Sequence, residues 1–377
     1  MKAESAYRVF GLVCVCLASR VSGDTAANCT YGDALGKWTI ELYEFTEDRI
    51  LNSDQPISTM EMNFMYPNHV INDFGLSGVW TMIYNQGFEA TINNRKWLFL
   101  FWNDYFVSYD CSKTLVHWTY DHTNRQRYNF VAYKRSQIGP ETETMESPRM
   151  SPELEKDVAG LPWEFDWRTP PDGGPSYVTP VRSQGSCGSC YAFVSASALE
   201  SRIQIMTNRS MQPILSPQDV VNCSPFSEES CVPYKDNPKL QCSTPKTCLR
   251  YYTSDYQYIG GYYGACNEAL MRLELVREGP FPVAFMVYDD FRDYEDGVYQ
   301  HKSESKATTG SVFNPYQEVT HAALIVGYGY DRKLGLPYWT IKNSWGEDWG
   351  ENGYGRIVRG SDELAIESMG LSFKPLL

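Results

Sequence analysis

Between Asp24 and about Tyr133 apolar and polar residues alternate with a period of two, most clearly in WTMIY, FEATI and WLFLFWNDYFVSY. That period belongs to strands with one buried face. Asn85-Gln86-Gly87 and Asn93-Asn94 stand between the runs as turn signals. Short aromatic-rich strands joined by tight turns usually close into a barrel or a sandwich, so residues 24–133 are expected to form an antiparallel β-barrel or sandwich. Cys29 and Cys111 are placed to staple its ends.

Periodicity then stops. Residues 134–160 carry RSQIGPETETMESPRMSPELEKD, rich in Pro, Glu, Ser and Thr, and read as an exposed linker open to processing. From Leu161 the pattern is mixed. Ser189 to Met206 has the spacing of a buried helix and Asn267 to Arg277 that of a second one. PFPVAFMVY, HAALIVGYG, PYWTIKNSW and GYGRIVR follow as strands edged by Gly or Pro. A helical half followed by a β half predicts an α+β unit over residues 161–377, built as two subdomains with a cleft between them. No internal repeat is present.

The first residues change the picture of the mature chain. Lys2 and Arg8 precede an apolar run from Val9 to Ala18, and the small residues Val21, Ser22 and Gly23 follow. The run is too short to span a bilayer and has the layout of a signal peptide over residues 1–23, which would leave Asp24 as the new amino terminus. A buried N-terminal helix is the bland alternative. The 377 residues then divide into two folded units, and 42% hydrophobic with 14% aromatic residues supplies material for both cores. A net charge of −13 without clustered Lys and Arg excludes a nucleic-acid partner. No later run is long and apolar enough to span a membrane, and no metal-ligand set is read.

Secretion makes cysteine pairing the expectation. Of eleven cysteines, Cys14 and Cys16 leave with the signal, and nine is odd, so one is free or reactive. The sequons at Asn28, Asn208 and Asn222 are candidate glycosylation sites compatible with the same route, to a lysosomal or extracellular destination.

Candidate chemistry begins at QGSCGSCYAF. Cys190 stands where a glycine-rich turn enters a helix, and the positive end of the helix dipole favours a thiolate over its ordinary pKa of about 8.5. An ordinary disulfide cysteine fits the local sequence equally well. What separates the two readings lies downstream: His321 opens HAALIVGYG, 131 residues after Cys190, and Asn343 lies in IKNSWGEDWGENGYG, 153 residues after it. A thiolate needs an imidazole partner, and that ring needs an acceptor to set its tautomer. The spacing is that of papain-type peptidases.

Through QGSCGSCYAF, THAALIVGYG and KNSWGEDWGENGYGRI together, residues 161–377 resemble the papain-like cysteine peptidases. The resemblance implies Cys190 as nucleophile, His321 as proton shuttle and Asn343 as orienter of His321. It also implies an oxyanion hole from Gln184 and the Cys190 amide, and Trp345 as cover for the Asn and His pair. DTAANCTYGDALGKW, IYNQGFEATIN, RYYTSDYQYIGGYYGACNEALM and YDDFRDYEDGVY extend the likeness to the dipeptidyl-peptidase branch of that family. There the barrel is an exclusion domain that blocks one end of the cleft. The first residue's carboxylate, Asp24 here, holds the substrate's terminal ammonium, so dipeptides are released from free amino termini. The branch further implies a chloride ion, of whose contacts Tyr258 remains, and a homotetramer of processed subunits. The implied disulfides are Cys223 with Cys242 and Cys231 with Cys248, with Cys266 free.

Two blocks of the family pattern are absent. Between Cys223 and Cys231 the chain has only SPFSEES, which removes a Cys-Gly-Gly cleft segment and leaves Cys187 without its usual partner. Residues 134–160 are shorter than the family's inhibitory propeptide, whose helical part is expected to be missing. Besides an active exopeptidase, these gaps keep open a catalytically silent homologue or splice product, and an endopeptidase.

Overall fold

The computed structural model describes residues 29–47, 49, 51, 55–104, 108–136, 151–223, 249–301 and 319–377. It separates into a barrel unit and a second, mixed unit.

A short helix, α1 (Tyr31–Ala34), precedes nine antiparallel strands: β1 (Gly36–Tyr43), β2 (Ser58–Met65), β3 (His69–Asn72), β4 (Ser77–Ile83), β5 (Gly87–Ile92), β6 (Arg95–Asn103), β7 (Tyr109–Thr114), β8 (His117–Asp121) and β9 (Arg127–Ser136). Each of β1 to β6 pairs with the next; β6 then pairs with β8, β8 with β9, and β9 with β1. Eight strands thus close the circle, while β7 lies on β6 and β9. The period-two pattern explains the interior: Trp38, Phe64, Trp80, Phe88, Phe99, Phe101 and Phe130 are all buried, and Phe88 stacks on Phe99 at 4.6 Å. Asn93 and Asn94 both take positive φ, the conformation of a two-residue turn joining β5 to β6. The long run beginning at Trp97 is two strands, since β6 ends at Asn103 and β7 begins at Tyr109. Cys29 and Cys111 form a disulfide, as their placement predicted.

The second unit opens with α2 (Pro152–Ala159), a helix within the stretch the sequence reads as an exposed linker. Ser151 caps the Leu154 amide, Pro152 occupies the first turn and Glu153 and Glu155 face the positive helix end. No residue of α2 is buried, so apolar periodicity could not have revealed it. Strand β10 (Phe165–Asp166) leads to the long helix α3 (Cys190–Met206) and to α4 (Pro217–Cys223). Nearly every residue of α3 is buried. The rest runs β11 (Tyr252–Tyr258), α5 (Glu268–Glu278), β12 (Phe281–Phe285), α6 (Asp289–Arg292), β13 (Val298–Tyr299), β14 (His321–Asp331), β15 (Leu336–Lys342), β16 (Tyr354–Val358) and β17 (Leu371–Leu376). Asn267 caps α5 through the Leu270 amide.

The main sheet has the order β10-β14-β15-β16-β13, with β12 also on β14. Helix α3 packs against β14. The chain end returns to the helical half, where β17 pairs with β11. Buried Arg202 of α3 ties these parts together by donating to Pro280 O, Phe373 O and the Glu274 carboxylate.

Candidate active site

His321 is the first residue of β14 and only 4% exposed. Its Nε2 lies 2.8 Å from Asn343 Oδ1. The same Oδ1 accepts from the Ser344 amide at 2.8 Å, which keeps the oxygen rather than the amide nitrogen turned to the ring. Nε2 is therefore the protonated nitrogen of the neutral imidazole, and Nδ1 is the basic one. Asn343 follows the last residue of β15, and its backbone N–H donates to Gly353 O at 3.0 Å. Gly353 must be glycine: its φ is +83°, and a Cβ there would meet Val181 Cγ1 at 2.5 Å. The Trp345 ring covers His321 at 4.7 Å and Phe285 meets it edge-on at 5.6 Å. Burial in this apolar surround lowers the His321 pKa to about 4, against the Asn343 bond that favours the charged ring, and the Arg292 charge adds to the lowering.

Cys190 heads α3 and is fully buried, so the positive end of the helix dipole falls on it. The sulfur state differs from expectation. Cys187 and Cys190 are both disulfide-bonded in this structure, whereas Cys187 was expected to lack a partner and Cys190 to be the reactive odd thiol. Among the described residues the free cysteine is Cys266, whose thiol burial pushes far up and keeps unreactive. Spacing identifies which cysteines are near a site, but pairing depends on which sulfurs the fold brings into reach.

Gln184 is buried beside the same loop. Its backbone amide donates to Ser344 O at 2.8 Å, its Oε1 accepts from Ser344 Oγ at 2.5 Å, and its Nε2 donates to Cys187 O at 2.7 Å. The backbone of Ser183 and Trp345 forms a bridge alongside. The segment carrying Gln184 and the loop carrying Asn343 are thereby laced together.

Behind Asn343 lies a polar network that sequence reasoning missed. Lys342 Nζ donates to Thr179 Oγ1 at 3.1 Å and Ser197 Oγ at 3.3 Å. Thr179 donates to Glu200 at 2.6 Å, and Glu200 also accepts from Arg182 and from the Leu215 amide. Burial lowers the Lys342 pKa to about 7 despite the Glu200 charge. A small cavity lined by Arg182, Ser197, Lys342 and Asn343 adjoins it. The available signal was the acidic residue within the otherwise apolar and small SASALES run, since a buried helix does not keep a carboxylate without partners.

The remaining predicted positions divide in two. Asp24, Asn28, Cys231, Cys242 and Cys248 lie outside the described residues, and with them the pairings expected for Cys223 and Cys231. Cys223 ends α4, which also contains Asn222. Asn208 is exposed, and its side-chain oxygen accepts from Tyr177 at 3.0 Å. Tyr258 ends β11, half-buried, with its ring edge-on to Tyr263. Among the described residues no helix is long and apolar enough to cross a membrane.

The pattern of the papain family cysteine proteases matches residues 161–232 and 225–373. The chain belongs to that family. The cathepsin C exclusion domain matches residues 24–134, the stretch of the barrel. Cathepsin C of Schistosoma mansoni is 41% identical over 94% of this chain and 96% of its own length. That alignment runs over 439 positions against 377 residues here, so the relative carries stretches with no counterpart in this chain. The gut-specific cysteine proteinase of Caenorhabditis elegans is 31% identical over 57% of this chain and 74% of its own. The cathepsin B-like CP2 of Giardia intestinalis is 35% identical over 56% and 73%. The protein is thus a cathepsin C-like cysteine peptidase. Its two family segments meet at residues 225–232, where the sequence has the short SPFSEES stretch.

Proposed function

We propose that this peptidase releases dipeptides from free amino termini, with Cys190 as nucleophile, His321 as base and then acid, and Asn343 as the group that orients His321. In its reduced form Cys190 passes its proton to His321 Nδ1, and the sulfur attacks the scissile carbonyl. His321 returns the proton to the departing amine as the C–N bond breaks, leaving a thioester that water hydrolyses through the same ring. Gln184 and the Cys190 amide would receive the oxyanion, where one lost donor costs roughly a hundredfold in rate. A thiolate beside the ring would raise its pKa above the low value that burial sets.

The single observation that carries this reading is the 2.8 Å His321–Asn343 contact beneath Trp345, at the head of the strand packed on the Cys190 helix. Dipeptide release rests on the exclusion domain match and on Asp24, whose carboxylate would hold the substrate ammonium. We further propose the secretory route, to lysosome or exterior, glycosylation at the three sequons, and a tetramer. Chloride enters no step: of its family contacts Tyr258 alone remains, which does not complete an anion site.

The test uses the reduced protein with a dipeptide-amide reporter carrying a free or an acetylated amino terminus. The free form is expected to be cut and the acetylated form and Cys190→Ala to be inert; equal cleavage of both reporters overturns the exopeptidase reading. A silent protein is the second reading, favoured by the disulfide at Cys190 and the absent cleft segment. Failure of an epoxide or vinyl-sulfone probe to label Cys190 after reduction would establish it.

A further inference from the structure

We infer that Arg292 makes this peptidase prefer an acidic residue immediately after the scissile bond. The inference rests on the proposed reaction, in which His321 protonates the departing amine. That amine must come within hydrogen-bond reach of the ring, so the residue bearing it passes over the groups that surround His321 on the side away from the acylated sulfur. Trp345 covers the ring at 4.7 Å, and the Arg292 guanidinium lies 6.0 Å from the centre of the Trp345 ring. Its charge is felt at His321 itself.

Arg292 ends α6 with its side chain about half exposed, and Phe291 beneath it is fully buried against Trp345 and Trp349. The helix is thus anchored while the guanidinium reaches out. Its neighbours leave it available. Asp289 is its only carboxylate contact among the described residues, at 4.0 Å and fully exposed, while Asp290 is taken up by Tyr299 and His301. Asp293, Glu295 and Asp296 follow, so Arg292 is the lone cation of residues 289–296 and the group there that can receive a carboxylate. A guanidinium beside an aromatic face offers a carboxylate two parallel donors.

Three peptides sharing one amino-terminal dipeptide, followed by Glu, Gln or Lys, are mixed and digested by the reduced protein, and their relative kcat/KM read by mass spectrometry. Such internal competition does not depend on how much enzyme is active. Glu is expected over Lys by roughly two- to fivefold, the range of a partly exposed ion pair, with the ratio shrinking at high salt. Arg292→Gln should flatten the ratio and Arg292→Glu should invert it. A ratio unchanged by Arg292→Gln while all peptides are still cleaved overturns this inference alone. No cleavage of any peptide overturns the proposed function and this inference with it.

Discussion

At the residue scale the site turns on one amide. Asn343 presents its oxygen to His321 because the Ser344 amide also holds that oxygen, so a single side chain sets both ring orientation and tautomer. Asn343→Ala is expected to lower kcat by at least about tenfold with little change in KM, read on the free-amine dipeptide reporter. His321 also carries a pH signature. Its folded pKa of about 4 lies below the 6.5 of an unfolded histidine, so the unfolded chain binds the extra proton between these values. The associated stability is present above pH 6.5 and is lost as pH falls toward 4. In the oxidised protein, denaturant titrations at pH 7 and 4.5 should show wild type losing about 2 kcal/mol more than His321→Asn over that interval. The identity of His321 and Asn343 was legible from motif and spacing; their contact was not, since 22 positions of chain separate them. Arg292 carried no sequence signal beyond being a cation among acids.

At the element scale, α3, the segment before it and β15 meet at Glu200. This carboxylate is wholly buried and takes bonds from Thr179, Arg182 and Leu215. Glu200→Ala leaves Arg182 and a backbone amide without their acceptor and is expected to cost about 3–5 kcal/mol, measured by denaturant unfolding. Glu200→Gln, which keeps an acceptor, should cost less. The helix was readable from its small and apolar run, as were β14, β15 and β16 from theirs. What the run could not show is that the buried charges in it serve as fasteners between a helix and a strand joined only through a long chain path. Helix α2 escaped notice for the opposite reason: it is capped locally and buries nothing.

At the scale of the whole molecule the chain is two units with separate cores. The Cys29–Cys111 disulfide closes a span of 82 residues within the barrel. Removing it with Cys29→Ser and Cys111→Ser should lower barrel stability by about 2–5 kcal/mol, seen in calorimetry as a barrel transition that moves down while the peptidase transition stays in place. By itself the sequence determined the strand periodicity of the barrel, the buried helix behind Cys190 and the family of the peptidase, because these depend on residues near one another or on motifs that local geometry demands. The tertiary structure alone decided which sulfurs are paired, which nitrogen of His321 is basic, and that Lys342, Glu200 and Arg182 stand together behind Asn343. Each of those is set by distances between segments remote in the chain, and no local pattern of residues encodes them.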